Sequence, residues 1–196
     1  MITTNKFKST TPAVQRPLQI QEDPSWGCHH CPNKCALCKD FLIEAKTFTS
    51  PKSVQTFKIR SNINCQTKYV VYLIFDKKCD DVFNIGYTMD SMAVRWRNHK
   101  SHIKNKIHSC ELATHFISNS DTIHKIDRSN HKNFTSQLSD HLSVLIESVE
   151  PRPGIDIEPI MKEREDYWQG VLKSTTFYGG INKRSNKIQL NKFKKS

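Results

Sequence analysis

No apolar run in these 196 residues approaches the ~18 that a membrane-spanning helix needs. The opening residues, MITTNKFKSTTPAVQRP, also lack the apolar core of a secretory signal. Both absences argue against a membrane partner and lead us to expect a reducing compartment, nucleus or cytoplasm. Acidic residues are few as well. Thirty Lys and Arg stand against 19 Asp and Glu, a formal charge of +11. Such a balance predicts partners rather than fold, and nucleic acid is the usual one. There is no internal repeat, and the length allows one ordinary domain with a modest addition but not two full ones.

Cysteine, by contrast, is plentiful. There are seven: Cys28, Cys31, Cys35, Cys38, Cys65, Cys79 and Cys110. An odd number with no secretory signal, four of them within eleven residues, reads as metal binding rather than disulfides. The run Cys28-x2-Cys31-x3-Cys35-x2-Cys38 holds two C-x2-C pairs, which suit tetrahedral Zn²⁺. Those four are the expected zinc ligands. Only three residues separate the pairs, which is tight for one ion, and His29, His30 or Cys65 can take the place of one member.

Patterning divides the rest of the chain. Residues 1–24 are polar and proline-punctuated, a disordered segment or linker. Residues 25–40 form the cysteine-rich module, and 54–182 the globular domain. VQTFKIR (54–60) alternates weakly, as an edge strand would. Residues 69–75 are a near-continuous apolar run, expected of a strand covered on both faces. The turn KKCDD and the run VFNIGYT complete an antiparallel hairpin. Asp90 is placed to cap a helix in which Met92, Trp96, His99 and Ile103 share one face. A short helix follows over 111–116, then a polar surface insertion over 118–141. LSVLIESV (142–149) reads as a third strand, and EPIMKEREDYWQGVLKS as the last helix. The tail from 183 to 196 is basic and without acid.

In that last helix Met161, Glu165, Trp168 and Leu172 fall on one stripe, which sets a carboxylate in line with apolar residues. Burying it alone is costly, so a positive partner should face it. Either an ion pair to Arg or Lys or a Mg²⁺ ion meets that need. Arg95 and His99, at i and i+4, can reach one phosphate, the arginine by bidentate hydrogen bonds and the histidine by moving a proton. A solvated basic face with Arg97, Lys100, His102 and Lys104 explains the same spacing. Tyr72, mid-strand, is either core or a hydroxyl lining a cleft. Gly86 suggests close approach of a backbone or ligand.

Taken in order, these residues resemble the GIY-YIG nuclease superfamily over about 69–182. Val70-Val71-Tyr72 stands at the GIY tripeptide and Asn84-Ile85-Gly86 at the YIG tripeptide. Arg95-x3-His99 matches the arginine and histidine of the next helix, and His108 a further histidine of homing-endonuclease members. Arg164-Glu165-Asp166-Tyr167-Trp168 resembles the metal-binding glutamate segment, and Gly180-Ile181-Asn182 the closing asparagine motif. With the upstream cysteines, "INCQTKYVVYLIF" and "AVRWRNHKSHI" are most similar to the endonuclease domain of Penelope-like retroelements.

The resemblance implies an α/β fold, a small three-stranded antiparallel sheet flanked by helices, with the N-terminal zinc module attached. It also implies an endonuclease that nicks DNA, or a structured or single-stranded nucleic acid, with Mg²⁺ or Mn²⁺. In that picture Glu165 holds the metal, Tyr72 helps generate the nucleophilic water, Arg95 clamps the phosphate and His99 assists proton movement. His108 and Asn182 complete the implied site, and the four central groups should converge on one cleft. One departure stands out. Asn84 replaces the second motif tyrosine and cannot supply an ionisable phenol. Tyr87, three residues on, points to the opposite face of a strand. The alternative is therefore a catalytically impaired nucleic-acid-binding protein that keeps the fold.

Overall fold

A computed structural model describes residues 23–50, 54–76, 83–108, 111–117, 141–176 and 180–182. The expected linker (save 23 and 24), the KKCDD turn, the surface insertion (save 141) and the basic tail lie outside the described residues, as do Cys79 and Cys110.

The architecture is mixed α/β. Its centre is a three-stranded antiparallel sheet in the order β6-β5-β7. Strand β5 (Val70–Asp76) lies between β6 (Phe83–Thr88) and β7 (His141–Ser148). Val70 to Ile74 are all buried, which accounts for the unbroken apolar run. Side chains alternate, so Val70, Tyr72 and Ile74 share a face with Thr88, Gly86 and Asn84, while Val71 and Tyr87 share the other.

Helix α2 (Met92–Lys104) covers the Tyr72 face, burying Met92, Trp96 and His99 as the periodicity requires. Its cap is Ser91, whose Oγ accepts from the Val94 amide at 3.4 Å. Asp90, expected as the cap, is instead exposed in the preceding turn, where its own amide donates to Thr88 Oγ1. One residue of turn geometry moved the helix start. Helix α3 (Glu111–Ile117) packs against α2. Helix α4 (Glu158–Leu172) packs against β5 and β6 and buries Met161, Trp168 and Leu172. It opens with a proline in its first turn, where the missing N–H costs nothing, and stops at Lys173 in the left-handed region.

The N-terminal part is woven into this sheet rather than set apart from it. Strand β1 (Gly27–His29) runs parallel to β4 (Asn62–Asn64), and β2 (Thr47–Thr49) pairs antiparallel with β3 (Thr56–Lys58). The strand expected within 54–60 thus exists, but its partner is β2 and not an edge of the main sheet. After the short helix α1 (Ala36–Asp40), residues 41–43 run along the open side of β7. Ser143 N donates to Phe41 O at 2.7 Å, and Ile43 N donates to Ser143 O at 2.8 Å. At the opposite edge the Asn182 side chain accepts from Ile85 N and donates to Ile85 O, at 2.8 and 2.7 Å. Each edge strand is thus engaged at one residue, Ser143 of β7 and Ile85 of β6, where the outward backbone groups find partners.

Candidate active site and metal centre

Three of the expected residues meet directly. Arg95 Nε donates to the Tyr72 hydroxyl at 3.1 Å, and that hydroxyl lies 3.2 Å from His99 Nε2. Because Arg95 can only donate, the phenolic oxygen accepts from it, while the direction of its contact with His99 follows the imidazole tautomer. With a neutral ring protonated on Nδ1, the Tyr72 hydroxyl donates to Nε2. Burial first, then the charges of Arg95 and His102, push the His99 pKa down to about 3, consistent with that assignment. Tyr72 is 1% exposed and His99 2%, whereas Arg95 is half-buried, so the guanidinium is the member that reaches towards the surface. Arg97, Lys100 and Lys104 on the same helix are exposed, as a solvated basic face requires.

Gly86 has a clear reason to be glycine. A Cβ there would lie 2.5 Å from the Tyr72 hydroxyl and 2.6 Å from its Cζ. What passes over Gly86 is therefore the Tyr72 ring, not the ligand or backbone that a strand glycine suggests. The missing side chain lets the phenol reach across β6 to α2.

Glu165 arrives from α4, on the other side of the sheet, and touches neither Tyr72 nor His99. Among the described residues no hydrogen bond or ion pair holds its carboxylate. Burial pushes its pKa up to about 7, assisted by Asp166 and Glu111, while Arg95 and Lys162 pull the other way. Arg95 is thus the link between layers: it binds the Tyr72 hydroxyl and its charge is felt by Glu165. Of the four groups expected to converge on one cleft, Tyr72, Arg95 and His99 meet directly; Glu165 makes no contact with them, and only the charge of Arg95 reaches it.

The neighbours of Glu165 in the RExYW segment do something else. Arg164 forks onto Glu147 of β7, Nε to Oε1 at 2.8 Å and Nη2 to Oε2 at 3.0 Å. Trp168 Nε1 donates to the same Oε2 at 2.6 Å, and the Arg164 guanidinium sits 4.7 Å from the Tyr167 ring centroid. These contacts fix the rotation of α4 on the sheet and so set where Glu165 points. Glu147 escaped the sequence reading. Its only signal was a carboxylate inside an apolar strand, the same signal that singled out Glu165.

Asn84 is buried on the Tyr72 face, opposite Ile74. Tyr87 lies opposite Val71 on the other face, as alternation demands. On that side its phenol lies within the fields of Glu158 and Glu165, and burial first, then these carboxylates, raise its pKa. Asn182 ties the β6 edge through both Ile85 backbone groups, a bracing role rather than a contact with Tyr72 or Arg95. Its turn depends on Gly180, where a Cβ would overlap the Ser174 carbonyl. His108 is exposed beyond the end of α2.

The cysteine cluster differs from the expected set in one member. Cys31, Cys35, Cys38 and Cys65 have sulfur atoms all within 4.8 Å of one another. Cys28 is not among them. It is fully buried against the backbone of Leu145, and burial pushes its thiol up to about 11. The reason is strand pairing. The parallel register sets Cys28 beside Ile63 and His29 beside Asn64, so the next residue of that chain, Cys65, emerges next to the turn that carries Cys31. His29 and His30 are engaged elsewhere, on Ser25 O and Leu42 O, both at 2.9 Å.

The spacing suits a tetrahedral thiolate site. Zn–S bonds of about 2.3 Å imply sulfur–sulfur edges of roughly 3.8 Å. The Cys35–Cys38, Cys35–Cys65 and Cys31–Cys38 pairs are each 3.7 Å apart. The amides of Cys35 and Cys31 donate to Cys31 Sγ and Cys38 Sγ, both at 3.4 Å. The first of these lowers the Cys31 thiol to about 7, while burial raises Cys38 and Cys65. Among the described residues this is the only group of three or more metal-ligating side chains, and no helix is long and apolar enough to cross a membrane. No family model, no curated protein and no solved structure matches the chain.

Proposed function

We propose that this protein is a divalent-metal-dependent endonuclease of the GIY-YIG type that nicks DNA, with Zn²⁺ at Cys31, Cys35, Cys38 and Cys65 serving a structural role. The observation that carries the reading is Arg95. It donates to the hydroxyl of a buried tyrosine–histidine pair, and its charge also acts on Glu165, whose carboxylate has no hydrogen bond or ion pair among the described residues. The excess positive charge of +11 supplies the attraction for a polyanion.

The chemistry follows from the contacts. A phosphate approaching the half-exposed guanidinium would be held by its Nη groups, since Nε is already on Tyr72. That anion offsets the Arg95 charge, one of the causes that keeps His99 unprotonated, and so raises the proton affinity of the imidazole. A proton leaving the attacking water passes to the Tyr72 oxygen as the phenolic proton moves to His99 Nε2. Water oxygen bonds to phosphorus, the ester bond breaks, the leaving oxygen takes a proton from solvent, and His99 returns its extra proton to solvent through Tyr72. Glu165 would hold Mg²⁺ or Mn²⁺, which supplies charge stabilisation to the leaving oxygen.

The test is conversion of supercoiled plasmid to open circle with Mg²⁺ or Mn²⁺ and with chelator. Nicking by the wild type that falls at least about 100-fold in Glu165→Ala, with DNA binding retained, is the expected result. A wild type that binds DNA and never nicks overturns it. One observation favours a second reading, a nucleic-acid-binding protein without cleavage: a buried Asn84 stands where the resemblance calls for a phenol. Asn84→Tyr raises nicking if that departure alone limits the reaction.

A further inference from the structure

Cys65 belongs to two structures at once. Its thiol is a member of the four-cysteine cluster, and its carbonyl accepts from the Ala93 amide at 3.0 Å. Ala93 lies in the first turn of α2, where backbone N–H groups have no partner within the helix. The Ser91 side chain caps Val94, and Cys65 O satisfies Ala93. A second link comes through α1, which begins after Cys35 and contains Cys38. The next residue after that helix is Phe41, whose ring stacks on Trp96 of α2 with centroids 3.6 Å apart and planes 15° from parallel. Cys65 therefore holds α2 at its start and Phe41, three residues after Cys38, holds its flank at Trp96, and between these two points of the helix sits Arg95.

We propose that the cysteine cluster is a positioning device for α2, so that Zn²⁺ occupancy sets the geometry in which Arg95 and His99 meet Tyr72. With zinc bound, four thiolates are fixed at the edges of one tetrahedron, and Cys65 O and Phe41 stay in place. Without it, the thiols are held together only by S–H contacts and two long amide–sulfur hydrogen bonds, and the two supports of α2 loosen. The sheet has no such dependence, because β5 is paired on both sides by backbone ladders. Binding and positioning are coupled, so the effect must run both ways. This inference rests on the sulfur cluster and the contacts of α2 and does not require that the protein cleaves DNA.

The experiment uses the full chain purified under reducing conditions, with zinc content measured by elemental analysis. Amide hydrogen exchange is followed before and after removal of zinc with a chelator. At least a 10-fold faster exchange at Ala93 and through the first two turns of α2 is expected, with the amides of β5 and β6 keeping their protection. Re-addition of Zn²⁺ restores the slow exchange. Cys65→Ser should behave as the zinc-depleted protein, and Cys28→Ser, outside the cluster, should retain zinc and slow exchange. Phe41→Leu, which leaves every cysteine in place, should weaken zinc retention against a competing chelator several-fold. Unchanged α2 exchange after confirmed zinc loss, equal loss of protection in β5 and β6, zinc-free purified wild type, or Phe41→Leu with wild-type zinc affinity would each overturn the proposal. The Phe41→Leu competition decides the matter if Cys65→Ser does not fold.

Discussion

His99 and Glu165 depart from their ordinary acidities in opposite senses, and the two departures shape stability against pH. The native state keeps His99 neutral down to about pH 3, whereas the unfolded chain protonates it near 6.5. Stability therefore falls as pH drops below about 6.5, because the unfolded state binds the extra proton. Glu165 titrates near 7 in the native state against 4.5 unfolded, so its contribution is full below 4.5 and is lost as pH rises through 7. Between 4.5 and 6.5 the two slopes cancel. Urea midpoints in metal-free buffer should show that His99→Gln flattens the acid limb. Glu165→Gln should flatten the neutral limb and exceed the wild type at pH 8 by about 1–2 kcal/mol. Gly86→Ala tests the other residue-level feature. A methyl 2.5 Å from the Tyr72 hydroxyl must displace the ring from Arg95 and His99. We expect a loss of about 1–3 kcal/mol in urea unfolding and a moved His99 ring signal by NMR. The tyrosine and the glycine were both conspicuous in the sequence. That one exists to make room for the other follows only from the register pairing Tyr72 with Gly86.

Among the elements, α4 shows how a short motif divides its labour. Glu165 faces the field of Arg95, while Arg164 and Trp168 grip Glu147. Glu147→Ala removes three hydrogen bonds and leaves a half-buried guanidinium and an indole N–H unpaired. Its expected cost is about 1–3 kcal/mol, discounted for the partial exposure of the pair, and Glu147→Gln should recover part of it by keeping an acceptor for Trp168. Chemical denaturation followed by tryptophan fluorescence checks both. The long elements were legible because an apolar run or an apolar spacing extends over enough residues to show: β5, β6, β7, α2 and α4 all appear where the sequence places them. Strands β1, β2 and β4 have three residues each, too few for any period, and exist because a partner strand is there to pair with them.

For the molecule as a whole, among the described residues, Arg97, Lys100 and Lys104 of α2 present their charges on the surface. If DNA is the partner, log affinity should fall linearly with log salt at a slope near −0.9 per phosphate contacted. Arg97→Ala and Lys100→Ala, both on the exposed face of α2, should each lower that slope by roughly one. Glu165→Ala should leave the slope unchanged and bind equally or slightly more tightly, since it removes a negative charge. Filter binding or fluorescence anisotropy over a salt series provides the measurement, and a slope near zero would remove nucleic acid from consideration. At this scale the cysteine-rich segment is not an appendage: Cys28, Leu37, Cys38 and Phe41 belong to the same buried core as Val70, Leu145 and Trp168.

Composition and spacing by themselves marked out the main strands and helices, the clustered cysteines and the carboxylate of Glu165 on an apolar stripe. Those inferences need only local information, because hydrophobic period, residue chemistry and the cost of a buried charge are properties of a sequence window. The α/β arrangement and the grouping of Tyr72, Arg95, His99 and Glu165 were what the family resemblance implied. Tertiary structure decided which groups meet. It brought Cys65 to the cluster in place of Cys28, since parallel pairing of β1 with β4 sets which residue emerges beside Cys31. It gave Arg164 and Trp168 to Glu147, and Asn182 to the edge of β6, because unpaired backbone and carboxylate groups are satisfied by whatever donor the fold delivers. Partners separated by tens of residues leave no mark on a sequence window. Their contacts come from the packing of helices on both faces of one short sheet.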